Sequence, residues 1–334
     1  MRRAAFLAAA VVGLGACGRG PVEYRTQREA MGTTVTVRAV AAEETTARAA
    51  GEAAWEAIAQ VERLASTYDP NSELSRLNAS AEGGAVSEEL YEILSLAYAA
   101  AAATEGYFDP TVGPLVAAYG IKGGTPRWPD DDELAAVRAG VGYEGLLLDE
   151  RDRTARFAPP GRRVDLGGIA KGWAVDKAVA AMKAAGAEAG LVEAGGEVAC
   201  FGGGPRGEER WRLGIQHPDG EGLYGWFELA EGASATSGGY AQRFEAEGHE
   251  FSHLFDPHTG RPAEGPAGVT VVAATCAEAD AWATALAVMP AAEARRLLKP
   301  AGRPGVLILT RDGERLKAET LGKMPKIETV TAYR

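Results

Sequence analysis

Cysteine is scarce in this chain: three in 334 residues, with no Cys-x-x-Cys. That excludes a disulfide-stapled scaffold and leaves no thiolate set for a metal or a redox pair. Cys200 and Cys276 sit in apolar strings. An oxidising compartment would permit a bridge, but nothing else points to a stapled fold, so two buried free thiols are expected. Aromatic residues are only 7% of the chain, and 35 Lys+Arg stand against 46 Asp+Glu, a formal net charge of −11. Such an acidic chain lacks the basic face that phosphate backbones require, so nucleic acid is not an expected partner. No apolar run reaches the ~20 residues of a membrane-spanning helix, which excludes a multi-span membrane protein. Internal repeats, a P-loop and a Gly-x-Ser-x-Gly elbow are all missing, which removes solenoids, coiled coils and two common enzyme classes.

Core material and glycine are abundant. The apolar fraction is 46% and there are 43 Gly, well above the average of ~7% and without collagen-like period. At the N-terminus, Arg2-Arg3 precedes an apolar stretch over residues 4–16. It is too short to span a bilayer and reads as a signal peptide. The stretch ends in Leu14-Gly15-Ala16-Cys17, which resembles a bacterial lipobox, with cleavage before Cys17 and lipid on its thiol. An ordinary secretory signal with an incidental Cys is the alternative, and the Arg pair hints only weakly at twin-arginine export. The expected organisation is a lipoprotein signal peptide at 1–16, a lipidated Cys and tether at 17–23, and one catalytic unit over 24–334. The expected location is outside the cytoplasm, lipid-anchored to a bacterial membrane and facing the periplasm or cell exterior.

Hydrophobic periodicity predicts a strand pair from Tyr24 to Val40, turning at Met31-Gly32, then an amphipathic helix from Ala41 to Ser66 with Trp55, Ile58, Val61 and Leu64 on one face. Ser87-Glu88-Glu89 and the acidic run at 129–133 open two further helices. Hairpins are expected at 146–157 and 305–321, strands at 190–193 and 269–272, and helices at 171–185, 277–289 and 291–298. Without a βαβ cadence the fold class is α+β, with mixed or antiparallel sheets, packed helices and a central nucleotide cleft.

Two motifs match by spelling and fail on context. Gly202-Gly203-Gly204-Pro205-Arg206-Gly207 satisfies Gly-x-Gly-x-x-Gly, but the residues after it, 211–215, read as extended. Without a helix N-terminus it is a glycine-rich turn rather than a pyrophosphate site. His249-Glu250-Phe251-Ser252-His253 spells the zincin signature, yet Gly248 precedes it, Pro257 follows, and Phe251, His253 and Phe255 alternate as in a strand. At ~3.3 Å per residue the two imidazoles would then stand roughly 13 Å apart, too far for one metal.

The remaining features converge. Three of the four His lie at 249, 253 and 258; His is poised for proton transfer near neutrality, though a structural His is the commoner case. Glycine pairs at 167–168, 195–196 and 238–239 lie beside apolar strands, with Asp165, Lys171, Glu193 and Glu197 nearby. One pair is a tight turn; three together suit a dinucleotide-sized cleft. Asp280 and Thr284, four apart, share a helix face that is open either to a hard cation or to a solvated Asp and a back-bonded Thr.

Several ordered motifs resemble the ApbE-like FAD:protein FMN transferases, whose fold is T-fold-related. They are Met31-Gly32-Thr33, Ser66-Thr67-Tyr68-Asp69-Pro70, Phe108-Asp109-Pro110-Thr111-Val112-Gly113, Val164-Asp165-Leu166-Gly167-Gly168-Ile169-Ala170-Lys171-Gly172, Glu193-Ala194-Gly195-Gly196-Glu197, Thr236-Ser237-Gly238, His253-Leu254-Phe255-Asp256-Pro257-His258-Thr259-Gly260 and Ala279-Asp280-Ala281-Trp282-Ala283-Thr284-Ala285. The resemblance implies Mg2+-dependent transfer of FMN from FAD to a Thr or Ser hydroxyl of a target protein, with release of AMP. Implied acceptors are membrane redox subunits of NADH:quinone reductase or RNF type. Carried over by position, His253 is the base. Met31, Tyr68, Tyr107, Phe108, Asp109, Asp165, Lys171 and Leu254 contact the flavin nucleotide, and Gly168 (through its carbonyl), Asp280 and Thr284 hold Mg2+. Gly168 stands where family members often carry Ala, a change that leaves a carbonyl ligand intact. Two alternatives use the same site: metal-dependent FAD hydrolysis to FMN and AMP, and non-catalytic FAD binding by a lipoprotein.

Overall fold

The computed structural model describes residues 20–220, 222–239, 243–313 and 315–330. The expected signal peptide over 1–16 and the lipidated Cys17 therefore lie outside the described residues.

The chain opens with a hairpin, β1 (Val22–Ala30) and β2 (Thr33–Ala41). Its two turn residues, Met31 and Gly32, both have positive φ, +51° and +74°. That pairing suits the right-handed twist of the strands, and it is uncommon for a Met. The Met31 N–H donates to Glu62 Oε1 at 2.9 Å, which holds the tip in place. β1 pairs from Val22 onward with Ala41, so the last two residues of the tether expected at 17–23 belong to the sheet. For the same reason the first helix, α1 (Glu44–Ala65), starts three residues later than periodicity predicted.

Next come α2 (Glu73–Ala79), β3 (Gly83–Ala85), α3 (Glu88–Ala103), α4 (Gly113–Ala118) and α5 (Asp131–Arg138). The hairpin β4 (Leu146–Asp149) and β5 (Thr154–Phe157) follows. Ser72, Ser87 and Asp130 cap α2, α3 and α5 through their side chains. Then come α6 (Ala170–Ala184), β6 (Ala189–Ala194), β7 (Glu197–Phe201), β8 (Trp211–Gln216), β9 (Leu223–Leu229) and β10 (Gly232–Ser237). The remainder is β11 (Arg243–Ala246), β12 (His249–Ser252), β13 (Gly268–Ala273), α7 (Cys276–Val288), α8 (Ala291–Leu297), β14 (Gly305–Asp312), β15 (Arg315–Leu321) and β16 (Glu328–Thr329).

Eight strands form one sheet in the order β1-β2-β6-β7-β10-β13-β14-β15, with every neighbouring pair antiparallel. Alternation places Val35, Val37 and Ala39 of β2 under α1 and α6, while Val306 and Ile308 of β14 face the core beneath α7. The intervening residues Val40, Leu307 and Leu309 face the other way, onto Trp211, Leu213, Ile215 and Phe227 of the small sheet β16-β9-β8. The inner strands β6, β7, β13 and β14 are thus largely buried on both faces, which explains why they read as apolar runs, whereas β1 and β15 at the edges stay largely exposed. Two smaller sheets, β3-β5-β4 and β11-β12, flank the cleft side. The α+β reading holds. Elements that escaped it include the short helices α2 and α4, the strands β3, β9 and β11, and the assembly of the three-stranded sheet over the second face.

Both tempting motifs resolve as context suggested. The 202–207 glycines form a turn between β7 and β8, and the His249 segment is the strand β12. That strand ends at Ser252, so His253 lies on a bend rather than on a continued strand. Cys200 and Cys276 are buried free thiols. No helix among the described residues is long and apolar enough to cross a membrane.

Candidate active site

A cleft of about 660 Å³ opens where the β1–β2 tip, the ends of β7 and β10, and the N-terminal half of α6 meet α7. Its size suits a dinucleotide-scale ligand. All twelve residues singled out by position line it: Met31, Tyr68, Tyr107, Phe108, Asp109, Asp165, Gly168, Lys171, His253, Leu254, Asp280 and Thr284. Gly167, Gly195 and Gly238 line it too, so the first glycine pair contributes both members and the other two one each.

The floor is a largely buried charged cluster. Asp280, 2% exposed on α7, accepts the Gly172 N–H at 3.0 Å through Oδ2. Thr284, one turn on, points its Oγ1 at the Gly168 carbonyl, 3.5 Å away. The approach is close, since a Cβ on Gly168 would sit 2.9 Å from the Thr284 side chain, which would have to give slightly for an alanine there. Lys171, in the first turn of α6, pairs with Glu197 Oε1 at the start of β7, and Glu197 Oε2 is buried with no hydrogen-bond partner. Burial raises the Asp280 carboxyl, against the opposing pull of Lys171 and the Gly172 N–H. Burial and the neighbouring Asp280 charge push Glu197 up to about 8. Lys171 loses solvation, but the two carboxylates outweigh that and hold its ammonium charged. Among the described residues no group of three or more His, Cys, Asp or Glu is arranged around a metal. The donor set at Gly168, Asp280 and Thr284 is instead all-oxygen, one carboxylate with a carbonyl and a hydroxyl beside an orphaned carboxylate oxygen, and it fits a hard divalent cation.

The helix carrying these ligands is fixed from α6. Asp176 accepts the N–H groups of Cys276 and Ala277 at 2.7 and 2.9 Å, which caps α7 from outside its own sequence. Burial pushes the Asp176 carboxyl up to about 6. Gly172 lets α6 and α7 touch, because a Cβ there would meet the Cys276 carbonyl oxygen at 2.4 Å.

The walls sort the expected contacts by role. Asp109 is buried and fully engaged, accepting from the Thr111 N–H and hydroxyl and from the Tyr143 N–H at 2.6–2.8 Å; it shapes the wall more than it offers charge. Phe108 and Leu254 are apolar lining, 3% and 9% exposed. Tyr68 also lines the cleft but is the opposite, 71% exposed. The three histidines part company. His249 stacks on Trp128, ring centroids 4.1 Å apart. His258 is held between Asp256 Oδ1 and the Glu105 carbonyl oxygen, each at 3.1 Å. Only His253 of the three lines the cleft. Sequence reasoning missed Lys122, which reaches Asp165 and Thr67 from the loop after α4, and Glu62, which anchors Met31. No motif surrounds either residue.

A model of the ApbE family matches residues 31–308. The FAD:protein FMN transferase of Vibrio cholerae is 39% identical over 241 residues, 70% of this chain and 71% of that protein. The enzyme of the same description from Escherichia coli K12 is 31% identical over 77% of this chain and 75% of its own. Among solved structures, the ApbE protein of Thermotoga maritima superposes with a TM-score of 0.80 at 31% identity, covering 92% of this chain and 97% of the other. The flavin transferase ApbE from Vibrio cholerae gives 0.79 at 32% identity, covering 90% and 97%.

Proposed function

This chain belongs to the ApbE family, and on that premise we propose that it is an FAD:protein FMN transferase. It moves the FMN half of FAD onto a Thr or Ser hydroxyl of a target protein and releases AMP. The observation that carries the reading is the convergence, in one dinucleotide-sized cleft, of an all-oxygen cation site, a charged lysine and one histidine. Gly168, Asp280 and Thr284 would hold Mg2+. When bound, the ion neutralises pyrophosphate charge and so lets a nucleophile approach an acidic protein's anionic substrate.

The chain's own groups account for the rest. The N-terminus of α6, with no acidic residue in its first turn, faces the cleft through Gly168 and Ala170 and favours a phosphate there. Lys171 adds a fixed positive charge. Glu197 and Asp280 hold that ammonium on the floor, clear of the path of the incoming hydroxyl. The Tyr68 face and the apolar wall of Phe108 and Leu254 orient flat rings. His253 takes the acceptor hydroxyl's proton as its oxygen attacks the FMN-side phosphorus. The P–O bond to AMP breaks in line, and AMP leaves with the electron pair. The lipobox at Cys17 supports an exported, lipid-anchored enzyme working on periplasmic or exterior domains of membrane redox subunits, of NADH:quinone reductase or RNF type.

The test uses an acceptor domain confirmed by labelling it, in a parallel reaction, with the Vibrio cholerae FAD:protein FMN transferase. Incubated with this protein, FAD and Mg2+, the acceptor should acquire a covalent flavin visible by in-gel fluorescence, and a Thr/Ser→Ala acceptor should not. FMN and AMP formed without acceptor labelling would establish the hydrolase instead. FAD bound without turnover would establish a flavin-storage protein.

A further inference from the structure

The mouth of the cleft carries an arrangement that neither the cation site nor the proton transfer uses. Lys122 follows α4 in the loop at 119–124. Its ammonium donates to Thr67 Oγ1 at 3.1 Å and to Asp165 Oδ2, and it sits 5.5 Å from the centroid of the Tyr68 ring. The two charges come from distant parts of the chain, and the ammonium of the pair sits over the exposed Tyr68 ring. Asp165 is buried and is itself fixed. Its Oδ1 accepts the Gly167 N–H at 2.8 Å, and its own N–H donates to the Pro110 carbonyl at 2.7 Å.

Capacity remains on both partners. An ammonium has three N–H donors, of which Thr67 and Asp165 take two; each carboxylate oxygen accepts more than one bond. The front of the pair is also left open. A Cβ on Gly167 would press on Asp165 Oδ1 at 3.0 Å and stand 3.8 Å from Lys122 Nζ; glycine leaves that space to a ligand. Beside Tyr68, the cleft thus offers one donor and one acceptor side by side.

We propose that Lys122 and Asp165 form a clasp over Tyr68 that reads the polar edge of a flat heterocycle, which makes Lys122 a specificity-determining residue for the bound nucleotide. The inference rests on the flavin-nucleotide reading above. The matching chemistry is a stacked ring with an N–H donor beside a ring-nitrogen or carbonyl acceptor. FAD has it at two places, the adenine amine beside a ring nitrogen and the isoalloxazine N–H beside a carbonyl. A bare phosphate has neither the ring nor the donor.

Lys122→Met keeps the length of the stem and removes the donor and the charge. Calorimetric titration of wild type and variant with FAD, AMP and FMN tests the proposal, since AMP and FMN each carry one phosphate but different rings. FAD affinity should fall roughly tenfold, as expected for losing one charged hydrogen bond. The loss should appear with one half-molecule only: with AMP if the clasp reads adenine, with FMN if it reads isoalloxazine. Equal losses with both halves would make Lys122 a phosphate contact and overturn the proposal, as would unchanged affinity for all three. The fitted stoichiometry reports the folded fraction, so partial unfolding lowers that number and not the affinity. If wild type does not bind FAD, the flavin-nucleotide reading fails; if wild type binds and Lys122→Met binds equally, only the clasp does.

Discussion

His253 illustrates how little a residue's type says before its surroundings are known. Of three histidines within ten positions, one stacks on Trp128 and one bridges Asp256 and Glu105. The third stands on a bend at the cleft. If His253 is the base, His253→Ala should reduce transfer by at least a hundredfold, within the usual range for a general base, while FAD affinity measured by flavin-fluorescence quenching changes little. Transfer at the wild-type rate would move the base elsewhere. At this scale the sequence was informative wherever chemistry-bearing residues sit in dense local motifs. Asp280 and Thr284 share a helix face by spacing alone, and Gly168-to-Lys171 is one short run. Lys122 was invisible for the converse reason. It is a lone Lys in a glycine-rich loop, and its partner Asp165 is 43 positions away.

Between elements, the decisive contact is α6 against α7, since one carries Lys171 and the other Asp280 and Thr284. A helical glycine is ordinarily improved by alanine by about 1 kcal/mol, but overpacking costs roughly 1–3 kcal/mol. At Gly172 the added Cβ would meet backbone, the Cys276 carbonyl oxygen, so the cost prevails. Gly172→Ala should lower the thermal midpoint by a few degrees, and a gain in stability would contradict the close approach. Asp176 gives the same contact a pH dependence. Its carboxyl is raised from the ordinary 3.8 to about 6 by burial. A group raised in the fold stabilises it most below the unfolded pKa, and that contribution is lost as pH rises through the folded value. Wild-type stability should therefore carry a downward component between about pH 4 and 6 that Asp176→Asn lacks; chemical denaturation across that window reads it. Periodicity located most helices and strands here because each has a repeating apolar face. It missed α2 and α4, which are too short to repeat, and β9; residues 211–215 read as extended, but the role of β8 and β9 as a second layer depends on a partner sheet remote in sequence.

For the whole molecule, strand order was not legible locally. The neighbours β2–β6, β7–β10 and β10–β13 are long-range pairings, and no local pattern fixes them. What the sequence did convey is that acidity and glycine belong to one design. If a chain of net charge −11 handles a pyrophosphate, a cation is called for, and residues of all three glycine pairs line the cleft. Attachment is the outermost property. If Cys17 carries lipid, Cys17→Ala should move the exported protein from the membrane pellet to the soluble fraction with its in vitro transfer intact. Retention in the membrane would refute the lipid anchor. Transfer is distinguished from hydrolysis most directly by the amount of AMP released per covalent flavin on a confirmed acceptor. Equal amounts of the two, both dependent on Mg2+, are predicted; AMP accompanied by free FMN and no labelled acceptor would contradict the account.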